Sequence, residues 1–246
     1  MTYLSRVWLN PHRTQAQRFL RDPQTAHATI LTGISRQPVT ERVLWRLEPD
    51  PTTTHRLGLL ILTESRPSWQ TLVEQAGWPD SDDPQALTRP YEPLLDQIML
   101  GRHFAFRLKA NPVSSTKHPE APSVQQKEHL AGQRPRGVRV PHRTAAHQLA
   151  WLTDRLPRWG FALLPGEAGL PQVRLIARDR LSFRKRRIDD QPGAAVVLQS
   201  ATFEGIVEVT DVAAARHSLL SGVGAAKAYG LGLITLAPPT TPDEAA

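Results

Sequence analysis

Two periodicities share this chain. Apolar residues alternate with polar ones, or run together over strand lengths, at Tyr3–Leu9, Val43–Leu47, Leu57–Leu62, His103–Lys109, Val173–Phe183, Ala195–Val209 and Leu231–Leu236. Helical spacing appears at 12–21, 24–31, 68–76, 144–156 and 211–220. Start signals support several of these helices: Asn10-Pro11 ahead of the first, Ser68 as a cap for the third, and Asp211 as a cap for the last. With the 103–109 run as the closing strand, the first half reads β-α-β-β-α-β, the ferredoxin-like unit.

Residues 112–141 break the pattern, with prolines at 112, 119, 122, 135 and 141 and little periodicity, and read as a linker or mobile loop. Beyond them helix, hairpin, helix and strand largely repeat the first order. The expected architecture is therefore α+β, two related ferredoxin-like domains in tandem. Their expected boundaries are 1–111 and 142–238, with 112–141 as linker and 239–246 as a disordered tail.

Composition narrows the function classes. The 246 residues carry 30 Lys plus Arg against 23 Asp plus Glu, a formal charge of +7, which points toward a polyanion such as nucleic acid. With no cysteine, disulfides, thiolate metal sites and cysteine nucleophiles are excluded. No apolar run approaches the ~18 residues of a membrane span, and the first residues lack a signal-peptide layout, so a cytoplasmic location without membrane association is expected. None of the nine histidines stands at metal-ligand spacing, so neither a metal nor any other cofactor is expected.

The charge is concentrated. From Arg174 to Arg187 there are seven basic residues and one acid: Arg174, Arg178, Arg180, Arg184, Lys185, Arg186 and Arg187 around Asp179. A two-residue period puts Arg174, Arg178, Arg180, Arg184 and Arg186 on one face of a strand, opposite Val173, Leu175, Ala177, Leu181 and Phe183. Guanidinium forks match phosphate oxygens, so a hairpin with this face suits a nucleic-acid backbone. Four of the fifteen glycines fall in the segment 222–232, at Gly222, Gly224, Gly230 and Gly232, with Lys227 among them. The segment is neither a dinucleotide fingerprint nor a P-loop. A helix cap and tight turn would explain Gly222 or Gly224 alone, so close approach to a ligand backbone is the favoured reading, with Gly222, Gly224, Lys227, Gly230 and Gly232 as contacts to a phosphate-bearing polyanion.

Three segments together carry a resemblance: Phe106-Arg107-Leu108-Lys109-Ala110-Asn111-Pro112, Phe203-Glu204-Gly205, and Gly222-x-Gly224-x-x-Lys227-x-x-Gly230-x-Gly232-Leu233 through Pro238. With Tyr3-Leu4-Ser5-Arg6-Val7 and the Arg21 to Ile30 segment, they resemble the CasE family of CRISPR-associated endoribonucleases. The resemblance implies two tandem ferredoxin-like (RNA-recognition-motif-like) domains, binding of a CRISPR repeat RNA hairpin and metal-independent cleavage at its base by 2′-hydroxyl attack. It implies 5′-hydroxyl and 2′,3′-cyclic phosphate ends, and retention of the product within Cascade beside that complex's other subunits. His27 matches the family's catalytic histidine, and Gln24 stands where members often have tyrosine. Lys227 is a candidate for stabilising transition-state charge, and Ser35 and Arg36 are candidate substrate contacts. Glutamine cannot exchange a proton at neutral pH, which keeps open a second reading, a weak or inactive RNA-binding subunit of the same complex.

Overall fold

The computed structural model describes residues 1–50, 55–118, 127, 131, 137–166, 169–185 and 193–239. Strand β1 (Tyr3–Leu9) alternates as the sequence predicts, burying Ser5, Val7 and Leu9. It is followed by α1 (Thr14–Arg21), α2 (Pro23–Thr32), β2 (Leu44–Pro49), β3 (Leu57–Thr63), α3 (Gln70–Ala76), β4 (Ala86–Pro90) and the single turn α4 (Glu92–Leu95). These strands form one antiparallel sheet in the order β2-β3-β1-β4. Val7, Leu9, Trp45, Leu59 and Ile61 from one face pack beneath Phe19, Ile30 and Leu72 of α1, α2 and α3.

The fourth strand departs from the sequence reading. β4 closes this sheet, whereas β5 (His103–Ala110) is the inner strand of a second one. The reason is visible in burial: β4 is a half-exposed edge strand with little apolar content, while β5 buries Phe104, Phe106, Leu108 and Ala110. A strand needing neighbours on both edges finds them in β10 (Ala195–Val209) and β11 (Ile234–Ala237).

The remaining elements are β6 (Val113–Thr116), β7 (Val138–Pro141), α5 (Ala145–Thr153), β8 (Phe161–Leu163), β9 (Val173–Arg184) and α6 (Val212–Ser221). The second sheet runs β11-β5-β10-β8, with β9 also paired to β10, and all its ladders are antiparallel. β6 and β7 pair with each other inside the span read as a linker, held by a ladder too short and polar to show as a hydrophobic pattern. Much of that span, and tail residues 240–246, lie outside the described residues. Helices α5 and α6 cover one face of the second sheet, where Trp151, Leu152, Ala215 and Leu219 meet Phe104, Leu108, Phe203 and Val207.

The opposite face of the second sheet turns toward the uncovered face of the first, and a buried arginine joins them. Arg46 of β2 is 1% exposed. It donates to the carbonyls of Arg107 (3.0 Å) and Leu233 (2.7 Å), to Thr235 Oγ1 (2.6 Å) and, through Nε, to Glu48 Oε1 (2.7 Å). Such a charge is tolerable only because every arm of its fork is satisfied. Among the described residues no helix is long and apolar enough to cross a membrane.

Candidate active site

His27 sits in the middle of α2, and the local sequence fixes where that helix begins. Asp22 caps it, its carboxylate accepting from the Gln24 amide (3.0 Å) and the Thr25 hydroxyl (2.6 Å), and Pro23 occupies the first helical position. Such a cap contributes about 1 kcal/mol and sets the helical phase, burying Pro23, Ala26 and Ile30 against the sheet and leaving His27 at the margin of that face. The ring is half-buried, and its Nδ1 is enclosed with no hydrogen-bond partner among the described residues. Burial without a compensating carboxylate pushes its pKa below the ordinary histidine value, so the imidazole is neutral at pH 7. Gln24 lies one turn earlier and is also partly buried.

α2 packs against the short 3₁₀ turn Lys227–Tyr229, which belongs to the glycine-rich segment. Three successive residues of β2 shape that segment. A Cβ at Gly222 would approach Leu44 to 2.7 Å, and one at Gly230 would approach the Trp45 ring to 2.7 Å. Arg46, next along, holds the Leu233 carbonyl. Gly230 and Gly232 take φ of 76° and 90°, and a Cβ at Gly232 would lie 2.2 Å from the Val223 carbonyl oxygen. Packing and positive φ within the protein thus account for glycine at 230 and 232 without invoking a ligand. Gly224 differs, being exposed at φ 68° with its nearest neighbour, the Trp151 ring, at an ordinary 3.6 Å. Ala226, without glycine's freedom, is also held at positive φ, 69°.

Lys227 reaches back to donate from Nζ to the Gly224 carbonyl (3.0 Å). Burial, then the nearby positive charge of Arg42, lower its pKa from the ordinary lysine value. Arg42 thus joins the candidate set, although nothing in its sequence context marks it. Tyr229 meets Phe183 edge-on at 4.9 Å, which ties the turn to the β9–β10 hairpin.

The arginine strand is built differently from its simple alternation. β9 pairs Ala177 with Thr202 but Leu175 with Phe203, leaving Ile176 as a bulge. Residues opposite each other share a face, so Arg178, Arg180 and Arg184 lie with Ala201, Gln199 and Ala195, on the side of Phe203. Arg174 lies with Glu204 on the other side and pairs with it at 3.6 Å. The single arginine face is thereby corrected to two. The apolar residues divide likewise: Val173 and Leu175 join the main core, while Leu181 and Phe183 pack with Leu198, Leu231 and Tyr229 beside the glycine segment. One inserted residue flips every later side chain, which alternation alone could not reveal. Arg178 is engaged, donating to Gln148 Oε1 (3.0 Å) and to the Arg143 carbonyl, whereas Arg180, Arg184 and Lys185 are exposed. Arg186 and Arg187 lie outside the described residues.

The fold thus brings the helix of His27 to the turn of Lys227, about two hundred residues apart in sequence. Ser35 and Arg36 stand exposed in the segment after α2. Among the described residues no three His, Asp or Glu side chains gather as a metal site.

Residues 2–238 match the model of a family described as CRISPR associated protein. The CRISPR-associated endoribonuclease Cse3 of Thermus thermophilus is 34% identical over 238 residues, which are 96% of this chain and the whole of that protein. The Cascade subunit CasE of Escherichia coli is 28% identical over 142 residues, 58% of this chain and 61% of that protein. Among solved structures, Thermus thermophilus Cse3 bound to an RNA representing a pre-cleavage complex superposes with a TM-score of 0.72 at 33% identity, covering 96% of this chain and 99% of that one.

Proposed function

The chain belongs to the CRISPR-associated protein family, and from that premise we propose that it is a metal-independent endoribonuclease of CRISPR RNA maturation. It binds the repeat hairpin of precursor CRISPR RNA in the cytoplasm, cleaves at the hairpin's base, and stays on its product as a Cascade subunit. The observation that carries this reading is the packing of α2, with its neutral, half-buried His27, against the turn bearing Lys227.

The chemistry follows from those groups. A neutral imidazole accepts the proton of the 2′-hydroxyl next to the scissile phosphate. The freed 2′-oxygen attacks phosphorus, the bond to the 5′-oxygen breaks, and that oxygen takes up a proton. The products are a 2′,3′-cyclic phosphate and a 5′-hydroxyl. Lys227 and Arg42 add positive charge where the phosphorane's negative charge develops, and the exposed amide edge at Gly224 adds donors. Gln24 can hydrogen-bond a hydroxyl but not titrate. Arg180, Arg184 and Lys185, exposed on the long hairpin, grip the RNA backbone, with Arg178 held partly by protein.

The architecture we infer is two ferredoxin-like units. The first runs from β1 through α4, and its sheet order β4-β1-β3-β2 is that of a βαββαβ fold. The second takes β5, α5, β9, β10, α6 and β11, whose order β11-β5-β10-β9 repeats it. In this division the boundary lies between α4 and β5, and residues 112–141 form an insertion within the second unit.

A hairpin carrying a 2′-deoxy nucleotide at the cleavage site tests the mechanism. It should bind normally and remain uncut, while the all-ribose hairpin yields cyclic phosphate ends. Cleavage of the deoxy substrate would exclude 2′-hydroxyl attack. The tyrosine-to-glutamine departure at Gln24 favours a second reading, a binding subunit without activity, and tight binding with the all-ribose hairpin left intact would establish it.

A further inference from the structure

The two sheets do not close on each other along their whole length. Past the Arg46 contacts they part into a cleft of about 950 Å³, floored by Leu60, Arg107 and Glu204 and reached by Arg6 of β1. A smaller hollow of about 340 Å³ continues it toward Trp8 and Arg56, sharing Arg6, Glu48, Leu60 and Arg107. Trp8 and Arg6 alternate with Val7 and Leu9, which are buried under the helices, so this opening is on the face of the first sheet away from α2 and His27.

The side chains at that opening are those that hold unpaired bases. Trp8 is only half-buried, and its ring rests where Gly58 has no side chain: a Cβ there would lie 3.3 Å from ring carbon Cζ3. The guanidinium carbons of Arg6 and Arg56 lie 5.4 and 5.8 Å from the ring centre. Arg6 makes no ion pair among the described residues, and Arg56 has only the exposed Asp83 at 3.6 Å. Deeper in, the arginines are already paired. Arg107 is held between Glu48 (3.4 Å) and Glu204, and Arg174 also turns to Glu204. At the mouth, Arg6 is left beside an aromatic face and Arg56 is shared only with exposed Asp83, with Asp50 also lining the hollow, while the deeper carboxylates are taken up by arginines. The volume suits a few nucleotides, not a duplex.

We propose that this cleft is a second RNA subsite, which takes single-stranded RNA running on from the bound hairpin, with a base stacked at Trp8 and the adjoining phosphates against Arg6 and Arg56. Stacking on aromatic rings with guanidinium support is the usual way unpaired RNA is held, whatever its sequence. The inference rests on the hairpin-processing reading above.

The test measures binding of five RNAs: the repeat hairpin alone, the hairpin extended by about eight unpaired nucleotides on either side in turn, and the same two extensions made abasic. The expected result is that one ribonucleotide extension tightens binding about tenfold, one stacked base being worth that much, while its abasic form gains far less. Trp8→Ala combined with Arg6→Ala should erase the gain and leave hairpin-only affinity and cleavage as they were; Trp8→Phe should keep most of it. An extension that adds nothing, or a gain that survives Trp8→Ala with Arg6→Ala, overturns the subsite while hairpin binding stands. No binding of the hairpin itself would instead overturn the processing reading on which the subsite rests.

Discussion

Replacing Gly230 with alanine separates the two explanations of the glycine-rich segment. Alanine there must hold φ near the observed 76°, a left-handed conformation that costs a non-glycine residue about 1–2 kcal/mol. Its Cβ must also fit within 2.7–2.9 Å of three Trp45 ring atoms, and Trp45 is buried at 2% exposure with little room to retreat. Overpacking of that kind costs about 1–3 kcal/mol, and the lower entropy of the unfolded alanine chain returns about 0.5 kcal/mol. The net loss is about 2–4 kcal/mol, a drop in Tm of about 5–15 °C for a chain of this size. Gly224→Ala meets nothing closer than 3.6 Å and should lose only the φ cost, about 1 kcal/mol. Urea unfolding of both variants, with Trp45→Leu added to Gly230→Ala, is the assay. Trp45→Leu should cost less in the Gly230→Ala background than alone, because the pair is coupled. If Gly230→Ala unfolded like the parent and lost only RNA affinity, the packing explanation would be refuted.

Other consequences are independent of that segment. Arg46→Met should destabilise by about 3–5 kcal/mol, since Glu48 and two inward carbonyls lose their donor, and Arg46→Lys should recover little because a point charge cannot replace the fork; thermal unfolding reads both. Arg180→Ala with Arg184→Ala should lower the salt slope of hairpin binding by about two, one per lost phosphate contact, whereas Arg174→Ala, on the opposite face, should leave it unchanged. His27 is held neutral by burial, so its folded pKa lies below its unfolded value near 6.5 and the unfolded chain binds the extra proton. Stability should therefore fall as pH drops from about 6.5 through the depressed folded value. The fall should be shallower in His27→Gln, and urea midpoints between about pH 7 and 5 would reveal an equal slope if the ring were not buried as described.

Strong periodicity made much of this molecule legible. β1, β3 and β10 lie within a residue of their apolar runs, and α2 and α6 follow the aspartates that cap them. What escaped depended on partners distant in sequence. β4 is a polar edge strand recognisable only by its ladder to β1, and β5 could be assigned to the second sheet only through β10 and β11. The bulge at Ile176 arises from pairing register, so the arginines looked like one face. At the site, His27 and Gln24 came from the resemblance and Lys227 from the glycine-rich pattern, but Arg42 beside Lys227 had no signal. Nor did the apposition of Leu44, Trp45 and Arg46 with a segment nearly two hundred residues later.

In the proposed mechanism His27 is the proton acceptor in a cleavage that needs no metal. Single-turnover cleavage of a repeat hairpin in excess EDTA, compared between the parent and His27→Ala, tests it most directly. Full cleavage by the parent and a loss of about a hundredfold or more in the variant are expected, with hairpin affinity preserved. Cleavage that stopped in EDTA, or that proceeded at the parental rate without His27, would contradict it.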